Sequence, residues 1–60
     1  MTREEAYAEM KLGKKVTHRD FTDNEYLVWK DGQIKTEDGF GFSEEFFTRN
    51  RLSEGWSLFN

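Results

Sequence analysis

The sequence predicts a small α+β domain: an N-terminal helix, a small antiparallel sheet with a central Asp-Gly hairpin, a short second helix and a C-terminal strand. Three observations predict it. A helix start signal opens the chain, at Thr2 and Glu5. Two strand-like runs flank Asp31-Gly32 in "EYLVWKDGQIKTE". The closing "GWSLF" alternates apolar and polar residues. All of this fits in residues 1–60 as a single small domain.

The first helix is expected from Arg3 to Leu12. Thr2 and Glu5 have capping-box spacing, in which the Thr hydroxyl accepts from the third helical amide and the Glu reaches back. Glu4 and Glu5 suit the positive end of the helix dipole. Ala6, Tyr7 and Met10 share one face. Gly13 supplies a left-handed terminating position, and Lys11 and Lys14 suit the negative end.

Lys15 to His18 reads as a short strand with Val16 inward and His18 as an exposed strand residue. Phe21 to Glu25, "FTDNE", is rich in turn formers and reads as a loop. Asp-Gly favours a two-residue turn because both positions tolerate positive φ. That turn pairs Lys30 with Gln33, Trp29 with Ile34 and Leu27 with Thr36. Leu27, Trp29, Ile34 and Thr36 then form the core face. Tyr26, Val28, Lys35 and Glu37 form the opposite face, toward solvent or a partner subunit. "EDGFGF" makes a second turn. Ser43 is expected to N-cap a short helix over Glu44–Asn50, with Glu44 and Glu45 in its first turn. That helix buries Phe46 or Phe47 but not both fully. Trp56 and Leu58 share a face of the last strand, and Trp56 is expected in the core.

A chain of 60 residues buries only about 60% of its unfolded surface. It has no cysteine, so no disulfide or thiolate site supports it. An aromatic core or self-association must supply stability. Six Phe, two Tyr and two Trp are a heavy load for this length, which favours a homo-oligomer with some rings at an interface or ligand pocket. "MTREEAY" lacks the apolar run of a signal peptide. No stretch approaches the roughly 20 apolar residues of a membrane span. The expectation is a cytoplasmic protein without a membrane partner.

The charge is −3, yet four of nine Lys and Arg fall between Lys11 and Arg19, next to the single histidine. A triad drawn from His18, an aspartate and a serine has no distinguishing spacing, so no enzyme is expected. His18, Asp20 and Asp23 lack calcium-loop spacing, and "DNEYLVWKDG" lacks alternating Asp/Asn ligands, so neither a metal nor a cofactor is expected. Lys14, Lys15, His18 and Arg19 stand near Phe21 and Tyr26, an arrangement that grips nucleic acid. Asp20, Asp23 and Glu25 would repel a long backbone. The cluster therefore suits a small anion with one or two phosphates better than polymeric nucleic acid, with a solvated surface as the plain structural alternative.

The order "EEAYAEMKLGKKV", an aromatic five residues after Val16, "YLVWKDGQIKTEDG" and a terminal "LSEGWSLF" resembles the phage Thoeris anti-defence 2 family. The resemblance implies no chemistry. It implies a homo-oligomer in the host cytoplasm that sequesters a cyclic nucleotide immune signal, a cyclic ADP-ribose isomer or cyclic dinucleotide, in pockets between subunits. The family's tryptophan after the basic stretch falls on Phe21, which makes Phe21 the base-stacking residue. Arg19 and His18 become phosphate partners, and Thr22, Asp23 and Asn24 hydrogen-bond ribose or base edges. The family's closing Asp-Trp is Gly55-Trp56 here. The chain is also shorter than typical members between the hairpin and the last helix, so a short relative that docks on a host defence or regulatory protein is the alternative.

Overall fold

The computed structural model describes all residues, Met1–Asn60. Helix α1 spans Arg3–Lys11. Thr2 accepts from the Glu5 amide at 3.2 Å and Glu5 accepts from the Thr2 amide at 2.8 Å, so both arms of the capping box form. The helix stops at Lys11, one residue short of the expected end, with Leu12 as the C-cap and Gly13 following at φ 93°.

Strands β1 (Val16–His18), β2 (Leu27–Lys30), β3 (Gln33–Thr36) and β4 (Trp56–Leu58) form one antiparallel sheet in the order β3-β2-β1-β4. Lys30 pairs with Gln33, Trp29 with Ile34 and Leu27 with Thr36. Asp31 and Gly32 connect these strands at φ 55° and 74°. β4 pairs with β1, so that His18 lies opposite Trp56 and Val16 opposite Leu58.

Helix α2 covers Ser43–Thr48, and a 3-10 turn follows over Asn50–Leu52. Ser43 is not the N-cap expected from the sequence. Phe42 holds that position without a side-chain cap, and the Ser43 hydroxyl instead accepts from the Ile34 amide at 3.0 Å. The hydroxyl thus satisfies a donor on the outer edge of β3, a long-range demand that outweighs the local one.

Both helices lie over one face of the sheet, and the core fills the space between. Ala6 and Met10 from α1, Val16, Leu27, Ile34 and Trp56 from the sheet, and Phe46 and Leu52 form a single buried cluster. Phe46 is buried completely, whereas Phe47 is 48% exposed. Arg3 ties the helices together: its guanidinium donates to the carbonyls of Phe46, at 2.8 Å, and Arg49.

The β3 edge is covered, and the β4 edge is covered at Trp56. The backbone of Phe40–Phe42 pairs along β3 through Thr36 to Phe40 and Phe42 to Ile34, each at 2.8 Å. On the other side Met1 exchanges bonds with Trp56, at 2.7 and 3.2 Å. A covered edge resists strand addition, so a partner on the β3 side must meet a face or a cleft.

Candidate functional site

The site grows from the tight turn that ends β1. The Phe21 amide donates to the His18 carbonyl at 2.9 Å, and the Arg19 amide to the Gly55 carbonyl at 3.0 Å. The second bond pins the turn to the segment before β4. Gly55 permits this approach. Its φ is 94°, and a Cβ there would lie 3.0 Å from the Arg19 Cδ and His18 Nε2. Position 55 is thus one where the backbone requires glycine.

His18 corrects the expectation of an exposed strand residue. Its residue is 2% exposed, because alternation from Val16 turns it into the core. Nε2 lies 2.7 Å from the Glu54 carbonyl, and Nδ1 accepts from the Asp20 amide at 3.1 Å. A carbonyl only accepts and an amide only donates, so the ring is neutral with its proton on Nε2. Both nitrogens are engaged within the chain, and neither is turned toward a ligand. The imidazole serves as packing, 4.9 Å from Trp56 in an edge-to-face pair.

Arg19 and Phe21 do not share a cleft. The Arg19 side chain runs along Gly55. Thr22, Asp23 and Asn24 form the exposed loop beyond Phe21, closed by the Thr22 amide on the Glu25 carboxylate at 2.7 Å. The sequence places these residues beside Phe21, but the clefts around the ring are lined by others.

Phe21 is half-buried and held from two sides. Trp56 stands at 88° with centroids 5.7 Å apart, and Phe42 at 89° and 6.2 Å. Two clefts of opposite chemistry meet at this ring. The first, about 250 Å³, is lined by Asp20, Phe21, Phe42, Arg49, Arg51 and Leu52. Arg51 donates to Asp20 at 3.1 Å and remains 82% exposed. The second cleft, about 190 Å³, carries Glu25, Glu37 and Asp38 beside Phe21, Tyr26, Phe40 and Phe42.

Arg49 and Arg51 are functional candidates that the sequence reading missed. The signal "RNR" after α2 was present, but nothing local relates it to Phe21. The β1–β4 pairing and the Arg19–Gly55 bond bring the two segments together. No group of three or more His, Asp or Glu side chains converges to hold a metal ion. No helix is long and apolar enough to cross a membrane.

No protein-family model, curated protein or solved structure matches the chain.

Proposed function

We propose that this chain is a phage-encoded, self-associating sponge in the host cytoplasm that binds a cyclic nucleotide immune signal without turning it over. The ligand class is a cyclic ADP-ribose isomer or a cyclic dinucleotide. The observation that carries this reading is the juxtaposition of Phe21 and Phe42 with Arg49 and Arg51 around one cleft. A ring offers a stacking surface for a base, and a guanidinium offers paired donors for a phosphate. The resemblance stated above supplies the signal's identity. The structure supports a different cation set: Arg49 and Arg51 take the place expected for Arg19 and His18.

Size supports self-association within this reading. About 250 Å³ lies below the roughly 300–1,000 Å³ of a complete small-molecule pocket. One copy accommodates a base and its phosphate, and a second copy would enclose the remainder. With the β3 edge covered, such an assembly does not add a strand there.

The test is thermal denaturation with a panel of cyclic ADP-ribose isomers and cyclic dinucleotides. A ligand at about one hundred times its dissociation constant stabilises the folded state by about 2.7 kcal/mol. For a domain this small that raises Tm by roughly 10 °C or more. Ligand recovered unaltered after denaturation supports sequestration. Absence of a shift across the panel defeats the proposal, and a processed ligand defeats the claim of no turnover.

A further inference from the structure

Of the concavities outside the arginine-flanked cleft, the larger is about 310 Å³ on the open face of the sheet. Lys15, Lys30 and Lys35 line it, but so do Asp31 and Glu37, and the mixed signs select no ligand. The cleft on the far side of Phe21 has one sign only. Four rings and three carboxylates line it, and no Lys or Arg does.

We propose that this second cleft docks an arginine or lysine side chain presented by a partner protein. Its carboxylates have no ion-pair partner within the chain: the one pair between charged side chains is Arg51 with Asp20. Two of the three are fixed in place. Glu25 accepts from the Thr22 amide at 2.7 Å and Glu37 from the Tyr26 amide at 3.2 Å. A carboxylate held this way presents its remaining lone pairs at a set position.

The apolar lining complements the stem and face of such a side chain. Phe40 is 69% exposed, the most exposed aromatic among the large apolar residues left in water. Rings attract a guanidinium or ammonium through their negative faces, and more strongly once water is displaced. A long basic side chain lays its methylene stem on apolar surface while its head meets charge. A volume of about 190 Å³ suits one inserted side chain and not a docked helix. Strand addition is closed off because Phe40–Phe42 already occupy the edge of β3. The same charges repel a phosphate, so this cleft and its neighbour select opposite ligands. The proposal does not rest on the sponge reading, since its carboxylates and Phe40 lie outside the arginine-flanked cleft.

The experiment is an amide NMR titration of the full chain with a blocked alanine–arginine–leucine tripeptide. Its citrulline counterpart serves as a neutral isostere, and free spermidine is a separate arm. The arginine peptide is expected to move the amides of Glu25, Tyr26, Asp38 and Phe40 saturably, with the citrulline peptide at least about fivefold weaker. Asp38→Asn and Phe40→Ala should each weaken binding by about two- to fivefold. Both positions are exposed, and a melting curve verifies that each variant folds. Arg49→Gln should leave peptide binding unchanged while it reduces nucleotide binding, which separates this proposal from the sponge reading. Equal affinity for the citrulline peptide overturns it, as does the absence of saturable shifts. Spermidine binding without peptide binding overturns it in favour of a free polyamine. A native mass of two copies that Phe40→Ala reduces to one overturns it in favour of self-association through this cleft.

Discussion

The ring of Phe21 stands perpendicular to Trp56, at 88° and 5.7 Å, so the platform proposed for a base is itself seated on the core. Position 21 therefore contributes to both stability and binding, and the two effects must be separated. Phe21→Ala should cost about 1–2 kcal/mol, less than a fully buried phenylalanine because one side of the ring faces the clefts. Phe21→Leu keeps most of the volume and removes the stacking surface. The expected outcome is a Tm within a few degrees of the parent and loss of the nucleotide-induced shift. If the leucine variant binds the signal as the parent does, Phe21 is not the stacking residue.

Arginine position distinguishes the structural reading of the cation set from the one read along the chain. Arg51→Gln and Arg49→Gln should each weaken nucleotide binding about tenfold, the scale of a charge-assisted hydrogen bond. Arg19→Gln should change affinity little, because its side chain lies against Gly55 and lines neither cleft. Calorimetric titration measures all three. The reverse ordering would restore Arg19 as the phosphate partner.

What the sequence made legible was local. The capping box at Thr2 and Glu5 joins residues three apart, and its chemistry is complete within one turn of helix. The opposition of Trp29 to Ile34 follows from a two-residue connection and strand alternation. What escaped was set by distant partners. His18 looked like a polar surface residue because its acceptor, the Glu54 carbonyl, lies 36 residues away. Ser43 looked like a cap because its competing partner, the Ile34 amide, is invisible to local spacing. Arg49 and Arg51 join Phe21 only through the return of β4 beside β1. For the site, the sequence marked the ring but not its neighbours.

Gly55 is expected to tolerate no side chain. At φ 94° an alanine is strained, and its Cβ meets His18 Nε2 at 3.0 Å. That imidazole is held by the Glu54 carbonyl and cannot swing aside as the Arg19 side chain can. Gly55→Ala should lose about 1–3 kcal/mol. Gly41→Ala is the control, with open space around its Cβ and no left-handed φ, and should stay within about 0.5 kcal/mol. Chemical denaturation of the two variants provides the comparison. Equal losses would mean that the Gly55 contact is relieved at no cost.

The hydrogen-bond geometry of His18 fixes its tautomer. Nitrogen-15 NMR of the imidazole should show the proton on Nε2, donated to the Glu54 carbonyl, with Nδ1 unprotonated and facing the Asp20 amide. His18→Ala should cost about 2–4 kcal/mol, combining the lost packing on Trp56 with two unsatisfied backbone groups. Observation of the Nδ1–H tautomer would contradict the turn geometry that places Phe21.

Glu5 should give the domain an acid-sensitive contribution to stability. Its hydrogen bond from the Thr2 backbone, assisted by the Thr2 side chain and the nearby amino terminus, holds the carboxyl below the ordinary glutamate value of 4.5. The folded state thus binds the Glu5 proton less readily than the unfolded chain does. Where the folded value is depressed, stability is present above the unfolded value and is lost as pH falls through the folded one. Glu5→Gln preserves the shape of the capping box and removes the charge. The parent should therefore melt above the variant at neutral pH, and the gap should close once both states are protonated, below the ordinary carboxylate range. Melting curves across that range test it, and a gap independent of pH would assign the effect to hydrogen-bond shape rather than charge.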